Sequence, residues 1–147
     1  MLQRLRTVLT ALWLGLVVTL AAVAAPTAFA VLERTLAGQV AGRMFGIEAR
    51  VGLGLAIALF LIERRLASLR VAAGRGSVLS VEIMLVLGAL FCTVLGYFAL
   101  QPMMEAARAG QGAYSFGALH GVSSALFALK GLLLLALLWR AADSAPR

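Results

Sequence analysis

The stretch VVTLAAVAAPTAFAVLERT, Val17 to Thr35, has two incompatible readings, and the choice between them decides the number of membrane spans. In the first, Ala28-Phe29-Ala30 is a small-x-small signal-peptidase site behind a basic start and an apolar run, leaving three spans. In the second, the stretch is the outer end of a retained helix, and there are four. Length favours retention. Val8 to Ala25 is 18 residues without a charge, longer than the apolar core of a signal peptide at about 7 to 15 residues. With the turn beyond Pro26 it is long enough to cross roughly 30 Å of hydrocarbon. Pro26 is then the residue that ends or kinks helix one.

Composition fixes the class around that stretch. Hydrophobic residues make up 63% of 147 and mean hydropathy is +1.00, values of a chain that lives in lipid. The formal charge is +7, with 13 basic and 6 acidic residues. Twelve of the basic residues are arginines flanking apolar runs, where they orient a membrane protein rather than bind a phosphate backbone, so nucleic acid is excluded as a partner. Cys92 is the single cysteine, which rules out an internal disulfide and any cysteine metal cluster.

Four segments reach the length a span needs: residues 8–29, 45–62, 81–100 and 116–139. All should be helical, because an open strand leaves backbone groups unpaired in lipid. The expected fold is an all-α, integral membrane, antiparallel four-helix bundle forming one domain, with residues 141–147 a flexible tail. Arg4, Arg6, Arg64, Arg65, Arg70, Arg75, Arg140 and Arg147 fall on one side, against Arg34, Arg43, Arg50 and Arg108 on the other. Eight against four puts both termini in the cytoplasm. Trp13, Phe45, Tyr97, Tyr114 and Trp139 are expected near the interfaces. Leu32, Leu36 and Val40, spaced by four, predict a short separate helix lying in the outer interface. Gly74 and Gly76 should end an extension of helix two.

Several short motifs carry a resemblance: Trp13-x-Gly15, Pro26-x-x-Phe29, AGRMF at Ala41 to Phe45, and FGALHGVS at Phe116 to Ser123. With them the chain resembles a bacterial family of uncharacterised four-span proteins similar to eukaryotic transmembrane protein 205. Gly46-Ile47-Glu48 departs from the aromatic, often proline-containing stretch usual there. The resemblance implies that helix one is retained and that the protein is in the bacterial inner membrane; it supplies no activity.

Ionisable groups inside spans are costly unless paired or wetted, so they form the candidate site: Glu48, Glu82, His120, Ser123, Ser124 and Lys130. Lys130 lies too deep for its stem to reach the headgroups and should face the bundle. Similar depth suggests a Lys130–Glu82 pair, and another between His120 and Glu48. The stripe His120, Ser123, Ser124, Lys130 either lines a narrow polar cavity or acts as helix glue through serine–carbonyl bonds. Gly88, Cys92 and Gly96 on helix three, and Gly117 and Gly121 on helix four, are the expected close-packing positions.

No Ser/His/Asp set, paired carboxylates, phosphate loop or zinc motif appears in the sequence, so neither an enzyme nor a metal or other cofactor is expected. The function expected is a non-catalytic packing or accessory module, with the lipid bilayer and either a membrane-protein partner or a second copy as its contacts. The alternative is a small transporter or permeability factor with a path along helix four.

Overall fold

In the computed structural model, which describes residues 1–143, the chain is four long helices: α1 (Leu2–Val31), α2 (Arg34–Ala72), α3 (Val81–Arg108) and α4 (Phe116–Asp143). Each is long and apolar enough to cross a membrane. The expectation of a flexible tail falls, for residues 144–147, outside the described residues, while Ala141 to Asp143 continue α4.

Pro26 does not end helix one. The ring of a helical proline clashes with the carbonyl four residues back and its nitrogen has no proton to donate. The chain absorbs both defects by widening Leu20–Ala24 into a π-helical segment, after which α-helix resumes through Val31. Pro102 on α3 follows a second π segment, Val94–Ala99, in the same way. The prolines thus mark bulges rather than ends.

The connections are tight. Leu32 is extended, and the Glu33 carboxylate caps α2 by accepting from the Thr35 amide at 3.2 Å. Consequently no separate interfacial helix exists: Leu36 and Val40 belong to the first turns of the 39-residue α2. A helix favourable over its whole length has no reason to break where nothing in the sequence breaks it. At its far end the Arg75 amide bonds the Arg70 carbonyl and the Gly74 amide bonds that of Val71, a Schellman motif that requires φ of +73° at Gly74. Gly110 ends α3 with the same pair of bonds. Met103 and Met104, beyond the expected span 81–100, are therefore helical, with Met104 buried.

Neighbouring helices run antiparallel, as the register of their contacts shows. On α1 and α4, Arg6 meets Ala141 and Val17 meets Gly131; on α3 and α4, Gly88 meets Leu133 and Gly96 meets Leu126. Packing of α1 on α2, α2 on α3, α3 on α4 and α4 on α1 closes a ring. Its core holds Trp13, Val17, Ala56, Leu59, Val86, Ala89, Leu134 and Leu137.

Polarity is inverted relative to a soluble bundle. Arg6, Glu48, Glu63, Glu82 and Lys130 are buried, whereas Leu12, Ile57, Phe91 and Leu132 on the four helices are all more than half exposed. Large apolar side chains exposed along all four helices amount to more apolar surface than a water-soluble protein carries. Lipid tails solvate such a surface, and the charged groups then gain by facing one another. The chain therefore has the form of a multi-pass membrane protein.

Candidate functional site

Three helices converge on Glu48. It sits on α2 where Gly46, Ala49 and Gly52 make the surrounding surface small, and its side chain is 2% exposed. From α4, Lys130 Nζ donates to Glu48 Oε1 at 2.9 Å and to Oε2 at 2.7 Å. From α1, Trp13 Nε1 donates to Oε1 at 3.1 Å. Each donor is placed by packing: Trp13 lies flat against Gly52, where a Cβ would be 3.1 Å from its Nε1. Lys130 stands 4.4 Å over the Phe127 ring, itself edge-on to Phe45 at 5.1 Å. An ammonium in an apolar interior gains from a carboxylate and an aromatic face together. Because α2 and α4 sit diagonally in the ring, the ion pair spans the core rather than a helix seam.

Lys130 therefore faces the bundle, but its partner is Glu48 and not Glu82. The α3–α4 register sets Lys130 near the level of Cys92, ten residues from Glu82, or roughly 15 Å along the helix. Glu82 instead sits in the first turn of α3. There it accepts from Arg140 Nε at 2.9 Å, and Arg70 Nη2 stands 3.5 Å away. Glu82 thereby ties α2, α3 and α4 at the end of the bundle.

His120 does not meet Glu48. It is exposed near the start of α4 and stacks on Phe116, 5.6 Å between centroids, with Arg108 over the other ring of that pair at 4.5 Å. Ser123 turns inward and donates to the Gly96 carbonyl at 2.9 Å. The π segment makes that acceptor available, since the Leu100 amide bonds the Leu95 and Tyr97 carbonyls and skips Gly96. Ser124 is exposed. The four residues of the stripe thus point in different directions.

The glycines divide the same way. A Cβ at Gly88 would lie 3.0 Å from Leu133 Cδ1 and one at Gly96 3.4 Å from Leu126 Cβ, so both lie in the α3–α4 seam, with Cys92 buried between them. A Cβ at Gly117 or Gly121 would meet nothing within 4 Å, and both are exposed; among the described residues they pack against no other helix, because they lie on the outward face of α4.

Two side chains that matter were legible only as something else. Trp13, expected at the interface, is 0% exposed in the core. The clue is its indole N–H, which needs an acceptor once buried. Arg6, counted as an orienting charge, is 2% exposed; its Nη1 lies 3.5 Å from Oε1 of the fully buried Glu63, and its Nη2 donates to the Ala141 carbonyl at 3.3 Å. Among the described residues, no three His, Cys, Asp or Glu side chains converge as metal ligands would.

No curated protein and no solved structure matches the chain. A family model does match residues 8–113, from the second turn of α1 through the turn after α3. Trp13, Glu48 and Gly52 lie inside that match and Lys130 beyond it. On that match the chain belongs to the family described as Domain of unknown function (DUF4149).

Proposed function

We propose that the protein is a non-catalytic packing or accessory module of the bacterial inner membrane, with both termini in the cytoplasm, which acts by docking another membrane helix on the outer face of α4. The observation that carries this reading is the contrast between the two sets of glycines. Gly88 and Gly96 are filled by α4 side chains, whereas Gly117, Gly121 and Ala125 leave a smooth exposed strip beside Ser124. Small residues at four-residue spacing allow close backbone approach between membrane helices, and a serine beside them supplies a hydrogen bond. The positive-inside count and the resemblance to relatives of transmembrane protein 205 support the placement.

Mutual saturation of Lys130, Glu48 and Trp13 supports a structural lock in place of a transport path. Burial of Trp13 between α2 and α4 supports retention of α1 over cleavage after Ala30; the mass of the mature protein tests that point. For the docking face, Gly121→Cys and Gly54→Cys are compared in a Cys92→Ala background by crosslinking in native membranes. Gly54 is equally open on α2. Adducts at Gly121→Cys alone support the reading. No adducts there, with Ser123→Cys labelled by an aqueous thiol reagent, would favour the small-transporter alternative.

A further inference from the structure

At the end of the bundle shared by Met1, the Ala73–Ser80 turn and Asp143, a cleft of about 260 Å³ opens between α1 and α2. Its walls are Gln3, Arg6, Leu66, Leu69, Arg70 and Arg75. Three arginines therefore line it and no carboxylate does. Two acids pair with its arginines: Glu63 is fully buried with Oε1 3.5 Å from Arg6 and Oε2 without a hydrogen bond, and Glu82 is shared by Arg70 and Arg140. Arg75, held out by the Gly74 and Gly76 turn, is exposed and has no carboxylate partner among the described residues.

Arg6 is the informative member. It is 2% exposed, yet its Nε has no acceptor and its contact to Glu63 is long at 3.5 Å. A guanidinium taken so far out of water is expected to use its donors. Arg70 also borders the cleft, and its Nη2, 3.5 Å from Glu82 Oε2, makes no hydrogen bond. Arg6 with an unused Nε, Arg70 held only by a long ion pair, and Arg75 without a carboxylate partner among the described residues are a donor set that phosphate oxygens fit. The volume is below the roughly 300 to 1,000 Å³ of pockets for drug-sized ligands, and so suits a headgroup rather than a larger metabolite.

We propose that this cleft binds the phosphate of an anionic phospholipid, with Arg6, Arg70 and Arg75 on its oxygens and Leu66 and Leu69 against the glycerol and upper acyl chain. The leucine wall distinguishes a lipid from free phosphate, which has no use for it. The site is independent of the α4 face, at the opposite end of the bundle from Gly117.

The test uses the full chain purified in neutral detergent, with bound lipid counted by native mass spectrometry. Phosphatidylglycerol, phosphatidylcholine and inorganic phosphate are offered separately. Phosphatidylglycerol should bind at least tenfold more tightly than phosphatidylcholine. Arg75→Gln should weaken it about fivefold, the share of one basic contact near an anionic headgroup, without changing the melting temperature of the lipid-free protein. Arg4→Gln, at the same end but outside the cleft, should change neither. Equal binding of the two lipids, or equal losses in Arg4→Gln and Arg75→Gln, would overturn the site in favour of diffuse surface charge. Saturation by inorganic phosphate with the same Arg75 dependence would overturn the lipid assignment.

Discussion

Lys130 on α4 reaches across the core to Glu48 on α2, with its ammonium 2.9 and 2.7 Å from the two carboxylate oxygens, beside the Phe45–Phe127 ring contact that also joins those diagonal helices. The pair fixes which faces of α2 and α4 look inward. Removing one partner strands the other charge, a loss of about 3 to 5 kcal/mol in a buried pair, whereas replacing both with apolar groups is far cheaper. Lys130→Met should therefore lower unfolding stability by about that amount, and Lys130→Met with Glu48→Leu should recover most of it. Unfolding of the purified proteins in mixed micelles measures both. A single Lys130→Met variant as stable as the parent would remove the pair from any structural role.

Trp13 tests the third arm of the same lock. Phenylalanine loses the N–H that bonds Glu48 Oε1 together with one ring of the buried indole, so Trp13→Phe removes a hydrogen bond to a charged group, about 1.5 to 3 kcal/mol, and adds the cost of a small cavity. Trp139, 71% exposed at the far end of α4, supplies the control. Trp139→Phe should leave stability unchanged and abolish the solvent- or lipid-sensitive part of the emission, while Trp13→Phe does the reverse.

Close approach gives a third prediction, because Gly52 and Gly54 sit two residues apart on α2 and face different surroundings. A Cβ at Gly52 would press on the Trp13 indole at 3.1 to 3.3 Å, while one at Gly54 meets nothing within 4 Å. Gly52→Ala should cost about 1 to 3 kcal/mol by overpacking the core. Gly54→Ala should be neutral or slightly stabilising, since alanine is the better helix former by about 1 kcal/mol. Equal melting temperatures for the two variants would mean that the indole is free to move away.

What the sequence made legible was set by length scale. Apolar runs determine where helices exist, and the four long helices follow from them. The depth of Lys130 alone requires it to turn inward, since its stem is shorter than the hydrocarbon above it. Pairing was less accessible. Choosing Glu48 over Glu82 needed the α3–α4 register and the diagonal placement of α2, which depend on interhelical packing rather than on residue spacing. Pro26 was misread for a local reason: like Pro102, it is compatible with continuous helix once a π segment relieves the clash, and no residue type announces that relief. Arg6 and Glu63 escaped notice because each lies among other charges, where a buried pair and a topology signal look alike.

The Glu82 cluster differs from the core lock in exposure, and salt distinguishes them. Glu82 is buried, but Arg140 and Arg70 are 48% and 40% exposed on their side chains. Water and ions screen both bonds, so each is worth about 0 to 1 kcal/mol. Glu82→Gln should accordingly lower stability by about 1 kcal/mol at low ionic strength. At 1 M salt, where the Debye length is about 3 Å, the difference from the parent should shrink to near zero. The loss in Lys130→Met should persist at both salt concentrations, because ions do not reach a pair that is 2 to 3% exposed. Paired unfolding measurements at low and high salt decide the matter: a salt-dependent loss in Lys130→Met would place water in the core beside Glu48 and reopen the polar-path reading of α4.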